Sequence, residues 1–161
     1  MSAAAAMDRE TASRTDDHQA LRLWLRLLTC SQLIEREVRA RLRERYGTTL
    51  PRFDLMSQLW RYPGGLTMSE LSQHLMVTGG NVTGIVDLLE NDGLAERTPE
   101  PADRRAFRVR LTRAGRKAFG EMARAHEGWI VELLDGLSRK EQAGIYQLLG
   151  QLKRVTMEAR A

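Results

Sequence analysis

Residues 67–116 read TMSELSQHLMVTGGNVTGIVDLLENDGLAERTPEPADRRAFRVRLTRAGR, and the order of signals in this stretch decides the fold. Thr67-Met68-Ser69-Glu70 is a capping box: the Thr67 hydroxyl accepts from the third amide of a helix while Glu70 reaches back. Leu71 and Leu75 follow on one face at helical spacing. Thr78-Gly79-Gly80 supplies a turn and a new N-cap. Val82, Ile85, Val86 and Leu89 then stand at i, i+3, i+4 and i+7, one stripe for burial. Gly80, Asn81, Thr83, Gly84 and Asp87 form the other face, which is made of small side chains. Asn91-Asp92-Gly93 ends the helix, with Gly93 suited to a left-handed C-terminal position. Leu94 to Thr98 is set to pair with Ala106 to Leu111, where Phe107, Val109 and Leu111 alternate with Arg108 and Arg110. Pro99 to Arg105 between them reads as a loop held open by two prolines. The whole is a helix-turn-helix followed by a β-hairpin wing.

Charge gives this unit a purpose. From Arg97 to Arg116 there are seven arginines against two carboxylates. Arginines packed at a hairpin tip repel one another unless phosphates neutralise them, so the cluster reads as a footprint for double-stranded DNA. The whole chain of 161 residues carries only +4, so the basic excess is local. A lone cysteine, Cys30, excludes an internal disulfide framework and fits a reducing compartment. Ala3 to Ala6 is too short for the apolar part of a signal peptide, and no apolar run approaches a membrane span. The expectation is a soluble cytoplasmic protein without a membrane partner. No nucleophile–base pair, glycine-rich phosphate loop or metal cluster stands out, so neither an enzyme nor a cofactor is expected.

Working outward, residues 1–17 are small and polar without apolar periodicity and are expected to form a disordered tail. A long helix is expected from about His18 to Tyr46, ending at Gly47. Its first half is apolar on most sides, through Leu21, Leu23, Trp24, Leu25, Leu27, Leu28, Leu33 and Ile34. Such a helix must be covered nearly all round, and a second chain is the natural cover. Pro51 to Arg61 reads as the next helix, with Phe53, Met56 and Trp60 on one face. Thr112 caps a helix running to about Gly136. Ser138-Arg139-Lys140-Glu141 is a second capping box, opening a last helix with Ile145, Leu148, Leu149, Leu152 and Val155 as its stripe. The fold class is thus mainly α with a small β-hairpin. Residues 18–161 read as one domain, with the winged helix-turn-helix at 51–111 and dimerisation helices at 18–50 and 112–161.

This order resembles the MarR family of bacterial transcription regulators. The matching motifs are Gly80-Asn81-Val82-Thr83 with Val86-Asp87-Leu88-Leu89-Glu90, then Asp92-Gly93-Leu94, Asp103-Arg104-Arg105, and Leu111-Thr112 with Gly115-Arg116. The resemblance implies a two-fold dimer knitted by its terminal helices, bound to a near-palindromic operator. It also implies recognition helices in successive major grooves, wings in the minor groove, and an acidic or aromatic effector that weakens binding. Arg52-Phe53-Asp54 and residues 75–82 look like a subgroup controlling aromatic-acid catabolism, some of whose members respond to aromatic coenzyme A thioesters. One departure matters. The family commonly has a basic residue where this chain has Leu88, and no lysine or arginine occurs from Thr78 to Asn91.

The candidate DNA-binding residues are therefore Thr78, Gly80, Asn81, Thr83, Arg104, Arg105 and Arg108. Asparagine can pair with adenine, and threonine offers a hydroxyl and a methyl. The plainer alternative for Arg104 and Arg105 is a solvated loop paired with Asp103 or Asp87; by resemblance, one of them braces the wing against Asp87. Arg108 and Arg110 are equally read as phosphate contacts or as solubilising charge. The candidate effector residues are Trp24, Arg36, Arg39, Phe53 and Met56. Trp24, Phe53, Met56 and Trp60 are either a cavity lining or core. Arg36, Arg39 and Arg43 share one side of a helix and are either a solvated face paired with Glu35 and Glu44 or an anion site. Cys30 is either a buried structural cysteine, in keeping with its apolar surroundings, or an oxidant sensor. Glu70 and His74 stand i, i+4, a spacing open to a metal, although a surface pair is the simpler reading.

Overall fold

The computed structural model describes residues 18–75 and 79–159. The helices α1 (Gln19–Tyr46) and α2 (Leu50–Arg61) are followed by the short strand β1 (Leu66–Thr67). Next come α3 (Met68–Leu75), α4 (Gly79–Asn91), β2 (Ala95–Glu100) and β3 (Asp103–Leu111), then α5 (Arg113–Leu133) and α6 (Arg139–Glu158). The chain divides into two compact units, one running to Ala123 and the other from Arg124.

Most boundaries follow from local chemistry. α1 stops where Gly47 turns left-handed (φ 59°) and its N–H donates to the Arg43 carbonyl at 3.0 Å. α2 opens with the Thr49 hydroxyl accepting from the Arg52 N–H and with Pro51 in its first turn. The capping box of α3 is complete: the Glu70 N–H donates to Thr67 Oγ1 at 3.2 Å, and the Thr67 N–H donates to Glu70 Oε2 at 2.7 Å. Ser138 and Glu141 repeat that arrangement at α6. In α4, Val82, Val86 and Leu89 are fully buried, each contributing about 1.5–3 kcal/mol of hydrophobic burial. They meet a core that includes Leu42 of α1, Leu55, Met56 and Leu59 of α2, Leu71 of α3 and Val109 of β3.

The sheet departs from the sequence expectation in two ways. It has three strands in the order β1-β3-β2, because Leu66 and Thr67 pair with Val109 and Arg108. Two residues are too few to carry a periodicity, so β1 left no mark in the sequence. The segment from Pro99 to Arg105 is also not an open loop. β2 continues to Glu100, β3 starts at Asp103, and the turn is Pro101-Ala102. Pro99 stands opposite Phe107 in β2, an edge strand, the part of a sheet where proline is tolerated.

Gly115 is fixed by close approach. A Cβ there would lie 1.9 Å from the Leu94 carbonyl oxygen, so no side chain fits without moving the backbone. Beside it, Thr112 Oγ1 donates to the Gly93 carbonyl at 2.7 Å and accepts from the Gly115 N–H at 3.0 Å. These contacts lock the start of α5 onto the connection between α4 and β2.

Several side chains of the terminal helices are exposed. In α1, Leu21, Leu23, Trp24 and Leu33 are exposed, and so is Cys30, against the burial expected for it. Its apolar neighbours Leu27, Leu28 and Ile34 are half-buried, while Cys30 itself lies on the side of α1 that the single chain leaves open. α6 buries no residue, and its stripe of Ile145, Leu148, Leu149, Leu152 and Val155 is exposed.

Candidate nucleic-acid interface

The exposed face of α4 has a particular make-up. Gly84, Asp87 and Asn91 are exposed and recur at i, i+3 and i+7, with Gly80 one turn earlier on the same stripe of the helix. Asn81 and Thr83, on either side of it, are both exposed. A Cβ built on Gly84 meets nothing within 4 Å. The fold therefore does not require glycine there, although glycine inside a helix costs about 1 kcal/mol relative to alanine. The missing side chain leaves room for something outside the chain. Thr78 lies outside the described residues.

At the wing, Glu100 pairs with Asp103 and Pro99 with Phe107. Between those two pairs β3 carries Arg104, Arg105 and Ala106, and β2 carries nothing, so the tip bulges on the arginine side. Asp103 Oδ1 accepts from the Arg105 N–H at 2.9 Å, which fixes the backbone without using the guanidinium. Both arginines are exposed, and among the described residues neither side chain has an ion-pair partner.

Four of the other five arginines between Arg97 and Arg116 are engaged within the fold. Arg97 donates to Asp87 Oδ1 at 2.6 Å and pairs with Glu90. The brace to Asp87 thus comes from the base of β2 and not from Arg104 or Arg105. Arg108 donates to the Gly65 carbonyl at 3.0 Å, pairs with Glu100 and lies 3.8 Å from Glu70. Arg110 donates to Glu96 at 2.6 Å. The Arg116 guanidinium lies 5.7 Å from the centre of the Trp60 ring. Glu70 is thus occupied by Thr67 and Arg108, while His74 rests on the Tyr62 ring at 5.1 Å.

The five expected effector residues are not brought together. Phe53 and Met56 are core residues, and the Phe53 ring lies 5.3 Å from Phe119. Trp24 is 56% exposed on the first half of α1. Arg36 is exposed, and Arg39 donates to Glu35 at 3.1 Å. Arg39 instead lines a cleft of about 590 Å³ with Arg43, with Thr49, Leu50 and Pro51 at the start of α2, and with Asn81, Ile85 and Leu88 of α4. The contribution of α4 to this cleft was not visible in sequence, because it depends on two elements forty residues apart in the chain.

No helix among the described residues is long and apolar enough to cross a membrane. A profile of the MarR family matches residues 46–106, which spans α2 to the wing. The transcriptional activatory protein BadR of Rhodopseudomonas palustris is 30% identical over 118 residues, 70% of this chain and 67% of BadR. The crystal structure of a MarR family transcriptional regulator from Silicibacter pomeroyi is 33% identical, with a TM-score of 0.75, covering 89% of this chain and 99% of that one. Streptococcus pneumoniae FabT, solved in complex with DNA, is 25% identical with a TM-score of 0.72, covering 88% of this chain and 99% of FabT.

Proposed function

This chain belongs to the MarR family of transcriptional regulators, and we propose that it acts as a homodimeric, ligand-responsive repressor on a near-palindromic operator. As a family member it is a DNA-binding transcription regulator, not an enzyme. The observation that carries the reading of its surface is the pairing of a small-residue face on α4 with two unpaired arginines at the wing tip. In this reading Asn81 and Thr83 read base edges, and Thr78 and Gly80 let the start of the helix approach the backbone. Arg104 and Arg105 hold phosphates. Arg108, already engaged by Gly65, Glu70 and Glu100, sets the angle of the wing and adds a weaker phosphate contact.

The dimer is supported by the apolar side chains that α1 and, separately, α6 leave exposed, since large apolar residues in such number are seldom left uncovered on a monomer. Residues 18–50 and 112–161 then serve as dimerisation helices, flanking in sequence the winged unit at 51–111. A DNA partner also assigns the chain to the cytoplasm.

The effector is an anion with an apolar body, such as an aromatic acid or its coenzyme A thioester. The cleft beside Arg39 and Arg43, with Leu50, Pro51, Ile85 and Leu88 as its apolar wall, supports that chemistry. Arg36 extends the same helix face, while Trp24, Phe53 and Met56 act through the packing of α1 and α2. An effector that prefers a dimer with the wrong helix spacing, away from the roughly 34 Å between successive grooves, releases DNA by population shift. A second reading is redox release through Cys30, favoured by its exposure in the single chain. BadR is itself named a transcriptional activatory protein, so activation is the alternative to the repression proposed for this chain.

The test is a fluorescence-anisotropy titration against the chain's own upstream intergenic DNA at two salt concentrations, with random duplex as control. Tight, specific, salt-sensitive binding of one dimer per site is expected. Aromatic acids should then release the DNA, and Arg39→Ala should blunt that release. Release by peroxide that Cys30→Ser abolishes would select the redox reading. Absence of binding to either duplex at low salt would overturn the DNA reading.

A further inference from the structure

The recognition helix is the acidic part of a surface meant for a polyanion. From Thr78 to Asn91 it carries Asp87 and Glu90 and no lysine or arginine. Asp87 belongs to the central stripe with Gly80, Gly84 and Asn91, and its side chain is 54% exposed. Both carboxylates lie in the C-terminal half of the helix, where the helix dipole is already negative. Duplex DNA presents about one negative charge per 1.7 Å of axis, so an uncompensated carboxylate on that face opposes docking.

Arg97 meets this problem from outside the helix. Its Nη2 donates to Asp87 Oδ1 at 2.6 Å, its Nη1 pairs with Glu90 Oε2, and its own N–H donates to Glu90 Oε1 at 2.8 Å. One planar guanidinium thus spans two carboxylates a helical turn apart, a task that suits the arginine fork and not a point-charge lysine. The backbone bond fixes β2 to α4 at the same place, and the Arg97 side chain is only 24% exposed, although Asp87 itself stays half-exposed.

We propose that Arg97 is a positioning residue for DNA binding, which masks the Asp87 and Glu90 carboxylates and so removes their repulsion of the phosphates. This rests on the DNA-binding reading above. It explains how a helix without cations serves as a recognition helix, and why the base of the wing holds an arginine away from phosphate.

The experiment compares four proteins on the upstream duplex and on random duplex: wild type, Arg97→Ala, Asp87→Asn/Glu90→Gln, and the triple variant. Arg97→Ala should weaken binding to the upstream duplex by about tenfold or more, because it exposes two like charges to phosphate. The triple variant should regain affinity to within about threefold of wild type, since no carboxylate is left to mask. The double variant, with Arg97 released toward the phosphates, should bind more tightly and with a steeper salt dependence. Full affinity in Arg97→Ala overturns the proposal, and so does a weakening that the triple variant fails to reverse, which would mean simple bracing. Should Arg97→Ala lose its thermal transition, the double variant decides: weaker binding than wild type overturns the proposal. Absence of salt-sensitive binding by the wild type overturns both this and the DNA reading.

Discussion

In the proposed DNA complex, the recognition helix and the wing meet the same partner with opposite means. α4 has no cation and presents glycine, asparagine, threonine and aspartate. The wing is dense in arginine, yet Arg97, Arg108 and Arg110 commit their charge to carboxylates within the fold. Only its bulged tip holds Arg104 and Arg105 without such partners among the described residues. The difference teaches that counting arginines overstates an electrostatic footprint. What matters is which guanidiniums the fold has left uncommitted. On the proposed reading it gives a division of labour, with affinity at the tip and shape fit on the helix.

The strongest way to break this comparison is at the tip. Arg104→Ala with Arg105→Ala should weaken operator binding on the order of a hundredfold at low salt, and lower the log–log salt slope by about 0.9 for each phosphate no longer neutralised. The thermal midpoint should stay put, because neither side chain braces the fold. An unchanged slope would mean that other residues neutralise the phosphates. Next in size is the junction of the two regions. Gly115→Ala forces a Cβ against the Leu94 carbonyl and should cost about 1–3 kcal/mol, read as a lower denaturation midpoint at unchanged m-value. Full stability in that variant would mean that α5 can slide relative to the α4–β2 connection.

A finer test is Gly84→Ala. With open space around the new methyl, the helix should gain about 0.5–1 kcal/mol in thermal or chemical denaturation. Binding to the upstream duplex should nonetheless fall severalfold, with binding to random duplex nearly unchanged. Gain in both stability and affinity would show that the groove does not approach α4 at that turn.

The smallest effect concerns the anchor of the wing on α3. The Glu70 carboxyl is held below its usual value of 4.5 by the Thr67 N–H first, with the Thr67 hydroxyl and Arg108 adding to it. The folded form therefore takes up a proton less readily than the unfolded chain. Its contribution to stability is whole above about pH 4.5 and is lost as acid protonates the folded carboxyl. Thermal melts of wild type and Glu70→Gln should differ slightly at pH 6 and converge as the pH falls through the lowered pKa of the folded carboxyl. A constant difference across that range would assign the effect to packing.

Much of this was legible in the sequence, for local reasons. Both capping boxes, the left-handed Gly93 and the buried stripe of Val82, Val86 and Leu89 depend on residues within a turn or two of one another. The motif Leu111-Thr112 with Gly115 was visible as a pattern, and its cause lies in the approach of Leu94. Less was legible in the candidate site. The sequence suggests a tip arginine as the partner of Asp87, and the fold supplies Arg97. Trp24, Phe53 and Met56 group together by residue type, but Phe53 and Met56 are core and Trp24 faces outward.

The sequence by itself determined the elements, their order and the excess of arginine in the wing, because helix caps, turns and alternation are set by neighbours along the chain. Only the tertiary structure decided the third strand, the partners of each arginine and the cleft against α4. Charge pairing and pocket shape depend on which distant groups the packed core brings within a few ångströms. Arg52 with Asp92 and Arg108 with Gly65 meet across forty or more residues of chain, a separation at which sequence pattern carries no geometric information.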